Sequence, residues 1–209
     1  MIKSKADYKM YLKADQISLG LKNEKVPFIC SNERHIIWKY QRLLRKLEYY
    51  MNCKTSIPNK IHKKYLKHKL FRMQVHTGMK VPPNVFGPGL SIAHLGTIII
   101  NAKAKVGVNC RLHALTNIGM DGRADAVAVL GDNVYIAMGA KIVGKINIAD
   151  GVVIGANSVV TKDVAESNIT VAGAPAKKIS SNGNSFPADR RGYELANQSA
   201  LSFQPAGIK

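Results

Sequence analysis

From residue 49 to residue 120 the chain contains no aspartate or glutamate. Any carboxylate that serves a group in this stretch must come from elsewhere in the chain or from another subunit. Cysteine is scarce as well: Cys30, Cys53 and Cys110 show no paired or metal-ligand spacing, and neither a CxxC nor an HExxH is present. That excludes a disulfide framework, argues against zinc and predicts reduced thiols. No apolar run approaches the ~20 residues of a membrane-spanning helix. The first twenty residues are basic and lack the apolar core of a signal peptide, so the expected address is cytoplasmic. A hydrophobic fraction of 46% with 21% charged residues excludes a disordered chain.

What charge there is has one sign and one place. Of the net +18, residues 1–80 hold +14, from 19 Lys and Arg against 5 Asp and Glu. A basic half of this kind suits an acidic partner, such as a membrane surface or an anionic polymer. Nucleic acid has little support, because Tyr40, Tyr49 and Tyr50 fit helix packing as well as base stacking.

The same half reads as helices. Ile36, Ile37, Tyr40, Leu43, Leu44, Leu47 and Met51 recur at the three-and-four spacing of an amphipathic helix, with Ser31 or Asn32 as its cap and Glu33 in the first turn. A second basic helix is expected from about Ile61 to Met73, after the breaker Pro58, and a shorter one near Tyr8 to Leu19. Pro82, Pro83, Gly87, Pro88 and Gly89 then end the helical pattern.

Beyond that cluster the period is six. Aliphatic residues fall at Ile100, Val106, Leu112 and Ile118, then at Leu130, Ile136, Ile142, Ile148, Ile154 and Val160, six apart within each run. Neither a helix nor a hairpin sheet uses that period. A chain that turns a corner every six residues and stacks coil on coil does, which predicts a three-faced parallel β-helix of about eighteen residues per coil. Periodicity does not give its hand. Between Ile92 and Ile100 the spacing is eight, and His94 lies in that interval. The two extra residues are expected to bulge and to display His94 at a corner. Between Ile118 and Leu130 the phase is kept, but Ala124 is a weak inward residue and Asp121-Gly122 signals a turn, so a loop or a loosely packed coil segment is expected.

The segments "GPGLSIAHLGTIIIN", "GDNVYIAMGAKIVG", "IGANSVVTKDV" and "AGAPAKKI" resemble the hexapeptide-repeat acyltransferases, in particular those similar to serine O-acetyltransferase and its relatives of surface-polysaccharide clusters. The resemblance implies a mainly β fold, a left-handed parallel β-helix of hexapeptide repeats with an N-terminal α-helical region. It divides the chain into a basic helical region (1–80), the β-helix acetyltransferase domain (81–179) and a C-terminal tail (180–209), read as extended or loosely ordered. It further implies a homotrimer with acetyl-CoA as donor, bound between neighbouring subunits, and His94 as general base. An imidazole can take the proton of an acceptor hydroxyl as it attacks the thioester.

His113, one coil later, is a candidate acceptor contact, as are Asp121 and Asp125. A carboxylate partner for His94 would come from the N-terminal helices, from Asp121, Asp125 or Asp132, or from another subunit; a backbone carbonyl could instead fix its tautomer. By matching motifs Ala137 and Gly155 would let the pantetheine arm lie along the backbone, and Lys162, Lys177 and Lys178 would meet the phosphates of CoA. No metal is expected.

Two departures bear on the acceptor. Serine acetyltransferases carry an aspartate directly before the catalytic histidine, where this chain has Ala93; they also carry an Arg-His pair whose gapless match falls on Ala126 and Val127. On that ground a sugar hydroxyl of a surface polysaccharide is the expected acceptor, made at the inner face of the membrane. Serine O-acetyltransferase of cysteine biosynthesis is the alternative. A non-catalytic β-helix scaffold that binds membrane or an acidic polymer is the reading of another class.

Overall fold

The computed structural model describes residues 1–21, 32–122, 126–185 and 187–201. Three helices lead the chain: α1 (Lys5–Ser18), α2 (Glu33–Cys53) and α3 (Ile57–Thr77). Each begins where the sequence supplies a start signal. The Ser4 hydroxyl accepts from the amide of Asp7 at 3.0 Å, and the Asn32 side chain accepts from the amide of Arg34 at 2.8 Å. Helix α3 starts four residues before the expected Ile61. Pro58 opens it instead of breaking it, because the amide that proline lacks has no helical partner in a first turn. Gly78, at φ 73°, ends it in the left-handed conformation that a side chain would resist. Among the described residues no helix is long and apolar enough to cross a membrane.

Short strands follow at once: β1 (Met79–Lys80), β2 (Ser91–Ile92), β3 (Ile98–Ile100), β4 (Lys105–Val106), β5 (Arg111–Leu112), β6 (Asn117–Gly119) and β7 (Val129–Leu130). Then come β8 (Tyr135–Ile136), β9 (Lys141–Val143), β10 (Asn147–Ile148), β11 (Val153–Ile154), β12 (Val159–Val160), β13 (Thr170–Gly173) and β14 (Ala176–Ser180). They form three sheets, in the orders β1-β3-β6-β9-β12, β4-β7-β10 and β2-β5-β8-β11-β13-β14. Every pairing is parallel except that of β13 with β14. These sheets are the three faces of a parallel β-helix, and the aliphatic hexad residues from Ile100 to Val160 are all buried along its axis.

The register explains both interruptions of the repeat. Ile92 pairs with Leu112 and Ile100 with Ile118, so the corner after β2 carries two residues more than the corner after β5. They bulge outward, as the spacing predicts. Leu130 pairs with Val106, 24 residues earlier, whereas Ile154 pairs with Ile136, 18 residues earlier. The extra six are one hexad long and fall between β6 and β7, so they leave the inward phase intact. Ala124 and Asp125 lie in this insertion and outside the described residues.

The C-terminal segment differs from the expected loose tail. Residues Gly192–Leu201 form a helix, α4, that packs on α1, with the Gly192 amide donating to the Ser18 hydroxyl at 3.2 Å. Glycine is required at this contact, because a Cβ there would collide with the Ala14 carbonyl. Close approach of two helices through one glycine leaves no periodic trace in a short polar sequence.

A buried charged cluster fixes the helices to the first coil. The Arg45 guanidinium, fully buried, donates to both Asp15 oxygens at 2.8 and 3.2 Å, to Glu48 at 3.0 Å, and to the carbonyls of Phe86 and Gly87 at 2.9 and 2.7 Å. Asp15 accepts in turn from the amides of Gly89 and Leu90, both at 2.9 Å, and Glu48 from that of Asn84 at 2.8 Å. Burial opposes the charge on Arg45, but Asp15 and Glu48 outweigh it and hold the guanidinium protonated above its ordinary value.

Candidate active site

His94 stands on the bulged corner with about half of its side chain exposed. Its Nδ1 lies 2.9 Å from Glu33 Oε1. An ionised carboxylate only accepts hydrogen bonds, so Nδ1 carries a proton and donates it; in the neutral ring the lone pair is then on Nε2. Glu33 is held as well: its second oxygen accepts from the Leu95 amide at 3.4 Å, and as the first residue of α2 it sits at the positive end of the helix dipole. The hydrogen bond from His94 is the main reason that its carboxyl titrates below the usual range. This is the carboxylate that the acid-free stretch around His94 required, and it comes from the N-terminal helices.

The next coil brings His113 to His94, with ring centroids 5.8 Å apart. Desolvation, then Arg111 and His94, push the His113 pKa down, which keeps this ring neutral. A neutral Nε2 accepts the phenolic hydrogen of Tyr135 at 2.8 Å. Arg111 binds the same tyrosine and donates to the Ser91 hydroxyl at 2.8 Å, which itself donates to the Ser18 carbonyl at 3.0 Å. Arg34 and Arg190 lie near enough to Arg111 to depress its pKa together with burial, which is the larger cause. The resulting wall offers a proton acceptor at His94 and a half-buried cation at Arg111.

Four positions stack along this corner. The amide of Ala93 bonds the Leu112 carbonyl, that of His113 the Ile136 carbonyl, that of Ala137 the Ile154 carbonyl and that of Gly155 the Val171 carbonyl, at 2.9, 3.1, 2.9 and 2.8 Å. His113, Ala137 and Gly155 therefore follow one another beyond His94 on one edge. Gly155 also has a packing reason, since a Cβ would approach that of Ala172 to 2.8 Å.

The remaining expected residues are scattered. Asp121 follows β6 at a different corner, where it lines a cavity of about 470 Å³ with Gly144, Lys145 and Thr161. Lys162 follows β12 on that same side. Lys177 and Lys178 lie on β14, and Lys178 is bound to Glu166 at 2.6 Å. Asp125 is outside the described residues.

Three contributors were not singled out by the repeat. Glu33 read only as a helix-start residue, because nothing local joins it to a histidine 61 positions away. Arg111 had a signal: it is two residues before His113 around inward Leu112, so both face outward from one strand end. Tyr135 stands where the six-residue insertion displaces it from simple coil counting.

Residues 128–162 match the family described as bacterial transferase hexapeptide (six repeats). The chain is 31% identical over 153 residues to the serine acetyltransferase of Synechococcus elongatus, covering 72% of this chain and 54% of that protein. The fold of this chain is that of the hexapeptide-repeat serine acetyltransferases. Among solved structures, that of Brucella abortus serine acetyltransferase in complex with coenzyme A superposes with a TM-score of 0.61 at 23% identity, over 86% of this chain and 68% of that one. Neisseria gonorrhoeae serine acetyltransferase in complex with serine gives 0.60 at 24%, over 85% and 71%. The chain spans about half the length of the curated relatives it matches.

These relatives overturn the expectation of a sugar acceptor in polysaccharide synthesis, since they are serine acetyltransferases by name. Arg111 stands one coil from Ala93. It is a cation that can pair with a carboxylate, so the absence of the Arg-His pair does not leave this wall without a positive partner.

Glu33 is hydrogen-bonded to His94, so with His94 as a general base it would act by positioning that ring. Glu33→Gln is expected to lower kcat about ten- to hundredfold with the KM values nearly unchanged. That is less than the ~10⁴-fold seen for a buried triad aspartate, as the amide oxygen of Gln can still accept from Nδ1. A loss in KM alone would instead place Glu33 in substrate binding.

Proposed function

We propose that the chain is an acetyl-CoA-dependent O-acetyltransferase acting on serine, with His94 as general base. The Glu33–His94 pair carries this reading, because it fixes the one tautomer that leaves Nε2 ready to receive a proton. The serine hydroxyl gives its proton to Nε2 while its oxygen forms a bond to the thioester carbonyl carbon. The carbon–sulfur bond then breaks, and the proton passes from the imidazolium to the departing sulfur. The products are O-acetylserine and CoA.

Arg111 binds the carboxylate of serine, and neutral His113 supports the acceptor beside it. The pantetheine arm follows the corner of Ala137 and Gly155, where little side chain intervenes, towards Lys177. The coil is left-handed and the working unit a homotrimer. Exposed Leu115 and Met138 flank this corner, which supports its cover by a neighbouring subunit.

The test is CoA release from acetyl-CoA, followed with a thiol reagent, at increasing L-serine. Saturable release is the expected result, and acetyl-CoA binding without serine-dependent release would sink the reading. In the same assay Arg111→Gln should raise the KM for serine about ten- to hundredfold, the worth of one charge-assisted hydrogen bond, and leave that for acetyl-CoA unchanged. Wild type should discriminate serine from serinamide by a similar factor, and the variant should lose that discrimination.

A further inference from the structure

Helix α3 has two apolar faces, and only one is used by the fold. Leu66 and Leu70 are buried, with Met73 partly buried beside them. On the opposite side Ile57, Ile61, Lys64, His68, Phe71 and Val75 follow one another at alternating steps of four and three, which makes one stripe along the whole helix. Its apolar members are 73%, 68%, 59% and 69% exposed for Ile57, Ile61, Phe71 and Val75.

The charge on this element has one sign. Lys60, Lys63, Lys64, Lys67, Lys69 and Arg72 stand on α3 without a single acidic residue. Beside the stripe, past Tyr65, a groove of about 540 Å³ runs between α3 and α2, lined by Arg42, Lys46 and Lys69 among others and by no carboxylate.

We propose that α3 docks on an anionic lipid bilayer, with the stripe entering the interface and the neighbouring groove receiving lipid phosphate. Charge complementarity selects this occupant. A second copy of the helix would set six cations against six more, with no acid on either to pair them. Nucleic acid would match the charge but leave the aliphatic stripe in water. Lys64, within the stripe, can lay its stem along the apolar surface and keep its ammonium among the headgroups. Each cation near such a surface adds to the attraction, which weakens with salt.

The experiment is co-sedimentation of the full chain with vesicles of phosphatidylcholine alone and of an equal mixture with phosphatidylglycerol. Binding is expected only to the mixture, and added salt should weaken it. Phe71→Ser with Val75→Ser should reduce the bound fraction at least about tenfold, and so should Lys69→Glu with Arg72→Glu. All four positions are exposed and none belongs to the candidate active site, so acetyl transfer and the circular dichroism spectrum should not change. Equal binding to both vesicles, no binding, or binding unaffected by either pair overturns the proposal. So does a concentration-dependent self-association, seen by sedimentation velocity, that the serine pair abolishes in the absence of lipid.

Discussion

His94→Ala is expected to lower kcat for acetyl transfer by about 10²–10⁴, the contribution of a positioned general base. Its effect on folding should be within about 0.5 kcal/mol, because the side chain is half exposed on a bulge that the coil interior does not feel. Serine-dependent CoA release, set beside urea denaturation of both proteins, checks the two halves of this expectation. A variant that folds normally and keeps its rate would remove His94 from the mechanism. Adding Glu33→Gln to His94→Ala should cost nothing further in rate, since Glu33 acts through the ring that is already gone.

The same variant reports on the pair itself. Glu33 owes its lowered pKa first to the hydrogen bond from His94, so in His94→Ala its carboxyl should titrate higher, back towards the ordinary carboxylate range. The sign for the wild type follows from the folded value lying below the unfolded one. Whatever the pair adds to stability is present above the ordinary Glu value and is lost as pH falls through the lowered one. An NMR titration of the Glu33 carboxyl carbon would resolve the shift.

Arg45→Met should be the most damaging single change to the fold, at about 3–5 kcal/mol, because it leaves Asp15 and Glu48 buried without their cation. The Phe86 and Gly87 carbonyls lose their donor at the same time. Urea denaturation measures it, as a lower midpoint. A loss under about 1 kcal/mol would mean that water reaches the cluster when the guanidinium leaves. Activity should fall at denaturant concentrations that the wild type tolerates, since the helix that holds Arg45 also carries Glu33.

The repeat made the coils legible. One aliphatic residue every six positions can be buried only by a chain that turns a corner at the same interval, and Ile100 to Val160 line the axis accordingly. The exposed corner that carries His94 was legible for the opposite reason, as a defect in that period. Glu33, Asp15 and Arg45 were not, because their meaning lies in partners 30 to 61 residues away along the chain, and no local pattern encodes such distances. The relatives point to serine and not to the expected sugar, and the missing Arg-His pair at Ala126 and Val127 was read without Arg111, a cation that another coil supplies. Asp121 and Lys162 fell at another corner, since motif matching fixes the order of residues along a coil but not which edge of the prism each one meets.

A parallel β-helix has no intrinsic end: its first coil offers the same unpaired edge to solvent that every later coil offers to its neighbour. Here α2 closes that edge with side chains. Tyr40 donates to the Met79 carbonyl at 2.9 Å and accepts from the Val81 amide at 3.1 Å, Arg45 takes the Phe86 and Gly87 carbonyls, and Gln41 donates to the Leu90 carbonyl at 2.8 Å. At the far end β14 runs antiparallel and breaks the register that another coil would need. The helices thus set where the stack begins and β14 where it stops, so a chain that lost α2 would open one edge only: a second copy could pair there, but growth would end at that pair.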